Sequence, residues 1–390
     1  MSKKKIAFYT LGCRANQYQT EALKSQLTPH SSHLTPFSNF ADTYVINTCT
    51  VTHDAERKSC QAIRRALRQN PKAKILVAGC FAKLAQKKLL ELFPQIEFLA
   101  TNPLSPNTQH LTPRVRTNLM IQDGCENFCS YCLVPFARGK IKSKPFPEVI
   151  REAKTLVKAG AREIILTGIN LGTYQHDLIN VLKALSKIKD LVRIRLSSIE
   201  PMYITKKLIR AMANIPKVCN YLHIPLQSGD NKILKAMNRN YTVQDYLKLI
   251  AFVRKTIPHC GLSTDIIVGF PGEGDLEFQN TFDLIKQIGF SRLHIFSYSK
   301  RAGTAAAGFS HQVEDKVKKQ RNKTLRSLGE KLANNFAKQS LKKKVEVLVE
   351  QPGKGLTTNF IRLKFAQDKN EVGQLKKLEG PLLPKSPCSL

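Results

Sequence analysis

The sequence predicts an α/β protein in three parts: an N-terminal parallel α/β domain, a central partial (β/α)6 barrel and a small C-terminal β module. Two observations carry this. Short β-branched runs alternate with amphipathic helical stretches in two successive series, the pattern of parallel sheets covered by helices. Near residue 344 the alternation gives way to period-2 runs with no helix between them. A third observation sets the scale, since 390 residues are enough for about two to four domains.

In the first series, Lys5–Thr10, Thr43–Asn47 and Lys74–Ala78 read as strands, with a basic helix over Asp54–Gln69. They define a domain over 1–100. The segment 101–113 holds three prolines and reads as a linker. The second series, within 114–340, places strands at Asn118–Gln122, Glu163–Thr167, Arg193–Ser197, Tyr221–Pro225, Ser263–Val268 and Leu293–Ser297. Helices are expected between them at Pro147–Ala159, Asp177–Lys187, Thr205–Ala213, Thr242–Thr256 and Leu276–Ile288. A basic helical tail starts at Lys316. In the last part, 341–390, Lys344–Glu350 and Thr357–Phe365 alternate as strands before a proline-rich end at Pro381–Leu390.

Lys and Arg number 62 against 29 Asp and Glu, a formal charge of +33. Solubility needs only single-digit charge, so a polyanionic partner is expected, nucleic acid first. No run of 18 apolar residues is present, so no membrane span is expected. The start, MSKKKIAFYTLGC, reads as a first strand and not as an export signal, which points to the cytoplasm.

Ten cysteines without a secretion signal point to metal ligation or catalysis more than to disulfides. Cys125, Cys129 and Cys132 form C-x3-C-x2-C directly after an expected strand. Three thiolates on one short loop suit a compact iron–sulfur cluster with one iron left open. The competing readings are structural zinc, which wants four ligands, and a redox C-x-x-C, which leaves Cys125 without a role. Cys13, Cys49 and Cys80 each stand just past an expected parallel strand, so all three come to one sheet edge. That suits a second three-thiolate cluster, against the plainer reading of three small core residues. Cys60, Cys219, Cys260 and Cys388 read as structural. Polar, glycine-containing strand ends in the barrel supply candidate cofactor contacts: Asn170, Ser198, Glu200, Gln227, Gly269 and Glu273.

On these residues the chain resembles the radical S-adenosylmethionine methylthiotransferases over nearly its whole length. Cys125, Cys129 and Cys132 are similar to the family's radical-cluster motif, and Cys13, Cys49 and Cys80 match the three cysteines that hold its auxiliary cluster. The C-terminal module is similar to the family's RNA-binding TRAM domain. The wording around Asn47–Thr52, Arg195–Pro201 and His223–Asp230 is closest to the branch that modifies N6-threonylcarbamoyladenosine in tRNA. Ala302 stands where the family often has Pro.

The resemblance implies two 4Fe–4S clusters and S-adenosylmethionine. It implies hydrogen abstraction at adenine C2 by a 5′-deoxyadenosyl radical, then delivery of methylated sulfur to that carbon at position 37 of tRNA. It also implies an electron donor, and neither DNA nor a membrane as partner. Isopentenyladenosine in tRNA and an aspartate of a ribosomal protein are the sister substrates. A metal-bearing RNA-binding protein without activity is the reading from another class.

Overall fold

A computed structural model describes residues 4–28, 32–102, 104, 114–342, 344–366 and 371–379. Most of the expected linker, the C-terminal tail and Cys388 lie outside the described residues.

The first part is β1 (Lys4–Thr10), α1 (Arg14–Leu27), β2 (Ser32–Thr35), β3 (Thr43–Thr48), α2 (His53–Gln69), β4 (Lys74–Gly79), α3 (Cys80–Leu84), α4 (Gln86–Leu92) and β5 (Ile96–Phe98). Its sheet runs β2-β1-β3-β4-β5 and is parallel throughout. The central strands are nearly continuous apolar runs because helices cover both faces. Ile63 and Ala66 of α2 pack with Tyr44, Ile46, Ile75 and Val77 on one face, and Leu23 of α1 meets Val45 and Leu76 on the other. Strands β2 and β5 are additions to the expected set, and each is short and lies at an edge.

The second part follows as β6 (Arg116–Asp123), α5 (Val134–Arg138), β7 (Lys142–Ser143), α6 (Phe146–Lys158), β8 (Glu163–Gly168), α7 (Leu178–Ser186), β9 (Arg193–Leu196), α8 (Lys206–Asn214), β10 (Tyr221–His223), α9 (Asn231–Ala236), α10 (Val243–Thr256), β11 (Gly261–Val268), α11 (Asp275–Ile288) and β12 (Arg292–Ser297). The six expected parallel strands are present, with β7 added antiparallel to β6. The sheet is not continuous, because β9 and β10 join only through the isolated pairs Ile194–Val218 and Ser198–His223. Along each strand residues alternate. Leu119, Ile164, Ile194, Leu222 and Leu262 enter one large core beneath the helices. Arg116, Glu163, Arg195, Tyr221 and Ser263 take the opposite, inward face.

The last part is α12 (Asp315–Ser340), β13 (Val345–Gln351), β14 (Lys354–Thr357), β15 (Arg362–Lys364) and β16 (Leu375–Leu378). The four strands form an antiparallel sheet in the order β15-β14-β13-β16. The single strand expected at Thr357–Phe365 is two strands around a tight turn. Thr357 Oγ1 accepts the Ile361 amide at 2.8 Å and bonds Asn359 Oδ1 at 2.6 Å, while Phe360 adopts φ 73°. A threonine closing a local turn outweighs the alternation there.

Candidate active site

Parallel β1, β3 and β4 end on one edge, and each is followed by a cysteine. Cys13 caps α1, Cys49 follows β3 and Cys80 opens α3. The turns leading to Cys13 and Cys80 need glycine. Gly12 has φ +96°, and a Cβ there would lie 2.9 Å from Cys49 Sγ; Gly79 has φ +95°, and a Cβ would lie 2.3 Å from the Thr48 carbonyl oxygen. Cys49 and Cys80 are buried while Cys13 is exposed, so the group is open on one side. Burial pushes the Cys49 thiol up to about 11, with Cys13 and Cys80 adding to the shift. Burial also raises Cys80. These thiols ionise readily only when a cation is bound among them.

The second group is the loop between β6 and α5. Phe128, with φ 44°, lets the chain wrap between Cys125 and Cys129. The far wall fixes the loop: Ser130 bonds the carbonyls of Met237 (3.1 Å) and Ala236 (2.7 Å), and Asn238 Nδ2 donates to Phe128 O at 3.0 Å. Burial raises Cys125 and pushes Cys132 up to about 12, with neighbouring thiols adding to both shifts.

The two groups share a construction that the sequence reading did not identify. Arg138 Nε donates to Cys80 Sγ at 3.2 Å and its Nη1 pairs with Asp123 at 3.1 Å. Arg239 Nη1 donates to Cys129 Sγ at 3.3 Å and its guanidinium pairs with Glu200. Each cysteine triplet thus has one sulfur facing a guanidinium anchored by a carboxylate. Asp123 stands two residues before Cys125, so Arg138 also ties the two groups together. Among the described residues no three His, Cys, Asp or Glu side chains gather closely enough to hold a single metal ion. Three thiols with an arginine N–H directed at one of the sulfurs are a donor set that could hold an iron–sulfur cluster.

The six strand-end candidates all lie at the carboxyl ends of β8, β9, β10 and β11, the same end as the C-x3-C-x2-C loop. Asn170 is buried with both side-chain polar atoms unpartnered, and Ser197 Oγ beside Ser198 is likewise unpartnered. Gln227 takes φ 66° and Gly269 φ 70°. Glu200 is committed to Arg239. Glu273 is committed within its own turn and to α12; its carboxylate accepts the Gly269 amide and the Arg321 guanidinium, each at 2.8 Å. It holds a turn against α12.

The inward barrel face was missed, although alternation in stretches such as Arg193–Ser197 and Arg292–Ser297 carries its signal. It is polar. His223 Nε2 lies 3.1 Å from Asp265, His223 Nδ1 lies 2.8 Å from Ser263 Oγ, and Tyr221 OH is 2.5 Å from the same oxygen. Burial would raise Asp265, but His223 and His294 hold it below the ordinary carboxylate range. Burial lowers His294 to about 4, leaving it neutral. At the amino-terminal end Glu163 pairs with Arg195 (2.8 Å) and Arg116 (2.9 Å), and Phe360 stacks on Tyr221 at 4.6 Å. That end of the lumen is closed.

Residues 119–285 match the model of the radical SAM superfamily and residues 5–101 that of the uncharacterized protein family UPF0004. The chain is 36% identical to the threonylcarbamoyladenosine tRNA methylthiotransferase MtaB of Bacillus subtilis, covering 96% of this chain and 93% of that protein. It belongs to the radical SAM methylthiotransferase family. A second relative of this methylthiotransferase, the tRNA-2-methylthio-N(6)-dimethylallyladenosine synthase of Alkaliphilus oremlandii, is 33% identical over 95% of this chain and 89% of its own. Among solved structures, the radical S-adenosylmethionine methyltransferase TsrM of Kitasatospora setae shares the fold at TM-score 0.54 and 12% identity, covering 75% of this chain and 73% of its own. The methylthiotransferase works with S-adenosylmethionine and 4Fe–4S clusters, and its two thiol groups are the places that could hold them.

Proposed function

We propose that this enzyme adds a methylthio group to C2 of N6-threonylcarbamoyladenosine at position 37 of tRNA. The observation that carries the proposal is the pair of three-thiol groups, each with an anchored arginine on one sulfur, joined through Arg138. Cys125, Cys129 and Cys132 would hold the cluster that binds S-adenosylmethionine, and Cys13, Cys49 and Cys80 the auxiliary cluster. When bound, these groups supply the radical and the sulfur, the hard chemistry of the reaction.

The chain's own residues position and exclude. The unpartnered Asn170 amide would meet polar parts of S-adenosylmethionine, with Gln227, Ser198 and the Gly269 turn on the same rim. Glu200 acts through Arg239, and Glu273 only by holding the Gly269 turn. The closed amino-terminal end leaves the cysteine end as the entrance for the base. A base in an anticodon loop is already single-stranded, so little unstacking opposes its entry. The net charge of +33, the basic helix α12 and the small antiparallel sheet, read as a TRAM-like module over 341–390, would hold the RNA backbone. Among the described residues no helix is long and apolar enough to cross a membrane. We place the enzyme in the cytoplasm, with an electron donor to the radical cluster.

The relatives also include enzymes named for dimethylallyladenosine, the alternative substrate. A basic ribosomal protein is disfavoured by a surface of the same sign. The deciding experiment is anaerobic reconstitution followed by nucleoside mass spectrometry on stem-loops carrying either base. Eight irons per chain and a methylthio product on the threonylcarbamoyl RNA are expected. Stoichiometric zinc with no product would leave a binding protein.

A further inference from the structure

Among the described residues, arginines that are buried or nearly so are paired. Arg116, Arg138, Arg195, Arg239, Arg301 and Arg321 each have a carboxylate within ion-pair distance. Arg14 is different. It follows Cys13 directly and is half-buried, yet none of the described residues gives it a carboxylate in ion-pair reach. Helix α1 sits against strand β6 of the partial barrel. Tyr18, one turn on from Arg14 and on the same face, bonds Glu152 at 2.7 Å, and Gln17 bonds Asn118 at 3.4 Å. That seating sends the Arg14 side chain inward, where Tyr221, Arg116, Arg195 and Glu163 are its strongest electrostatic neighbours and His294 feels its charge. A cation without a carboxylate, half out of water and beside an auxiliary-cluster cysteine, calls for an anion from outside the chain.

Adenine C2 and C6 flank the same ring nitrogen, so a substituent on N6 lies close to the carbon that receives sulfur. Of the two tRNA bases considered, only threonylcarbamoyladenosine carries a carboxylate there; the dimethylallyl group is uncharged. We propose that Arg14 binds the carboxylate of the threonylcarbamoyl group and sets this enzyme's preference for that base, an inference that rests on the proposed substrate. The bidentate geometry of a guanidinium suits a carboxylate at the end of a short chain reaching into the lumen from the cysteine end.

The test uses the reconstituted full-length enzyme and two anticodon stem-loops. One carries threonylcarbamoyladenosine and the other its carboxamide, identical in shape but uncharged. The parent should favour the acid by about 10- to 100-fold in kcat/KM, the size expected for a charge-assisted hydrogen bond. Arg14→Gln should bring the two RNAs to the same value, and Arg14→Lys should restore part of the difference. A parent that treats acid and carboxamide alike overturns the proposal, as does an Arg14→Gln protein that loses equally on both. Should Arg14→Gln fail to fold, the comparison on the parent and Arg14→Lys still decides. A parent that modifies the dimethylallyl stem-loop and not the threonylcarbamoyl one overturns the substrate reading itself. Product on both the acid and the carboxamide without discrimination overturns only the role of Arg14.

Discussion

At the residue scale, the two cysteine groups should be separable. Replacing Cys125, Cys129 or Cys132 with Ala should abolish cleavage of S-adenosylmethionine and remove about half the iron, since two thiolates hold a cluster poorly. Replacing Cys49 with Ala should spare 5′-deoxyadenosine release while stopping methylthiolation, read by chromatography of both products. Full product from that variant would return Cys13, Cys49 and Cys80 to core packing. Glu163 offers a stability test. Burial would push its carboxyl up, but Arg195 and Arg116 outweigh this and hold it at about 2, below its ordinary 4.5. A depressed folded value means the stabilisation is fully present above pH 4.5 and is lost as pH falls through about 2. Glu163→Gln leaves the buried Arg195 guanidinium without its carboxylate, while Arg116 keeps Glu350 at 2.6 Å, and should cost about 3–5 kcal/mol at pH 7 by denaturant unfolding. The variant should also lose the pH dependence between those two values.

Elements explain what the sequence disclosed and what it hid. Strands buried on both faces are legible within one or two residues, because nothing competes with a β-branched apolar run between helices. The barrel strands are legible as well, but their inward polar residues were not recognised as a lining. A strand period shows which residues share a face and not what that face meets. Helix α12 corrects an expectation in the same way. Its charge run reads as a phosphate-binding stripe, yet Lys318 and Arg321 are 9% and 6% exposed. Arg321 is held by Glu273 and Asp275, at 2.8 Å each. Lys316, Lys319 and Lys323 remain exposed on α12. Lys344, further on, pairs with Glu379 at 2.5 Å, and Lys343 lies outside the described residues. The test of RNA binding therefore belongs to the first three. Changing Lys316, Lys319 and Lys323 to Gln should weaken tRNA binding and flatten the slope of log affinity against log salt. The slope should fall by about 0.7–0.9 for each phosphate that the variant no longer neutralises. A triple variant with the parent's slope would make the stripe a solvated surface only.

At the scale of the whole molecule, the three parts are not beads on a string. The N-terminal domain is fastened to the barrel by Arg138, by the Arg301–Glu56 pair and by Tyr18 on Glu152. The small sheet is fastened to the other end. Arg193 Nη1 donates to Leu356 O at 2.6 Å, Arg195 Nη1 donates to Thr358 O at 3.0 Å, and a Cβ at Gly261 would lie 2.2 Å from Asn359 O. Phe360 is the plug, stacked on Tyr221 with the Arg195 guanidinium 5.0 Å from its ring. Closing the barrel floor with the small C-terminal sheet couples the fold of that sheet to the shape of the lumen. Phe360→Ala removes the stacking and the cation–π contact together and should cost about 2–3 kcal/mol. Because the plug rests on β10, that destabilisation should appear as one cooperative thermal transition shifted downward as a whole. Amide exchange should rise at Leu222 and Leu262 of the barrel as well as in β14 and β15. Two separate transitions, with barrel amides protected as in the parent, would show a module that folds and binds by itself.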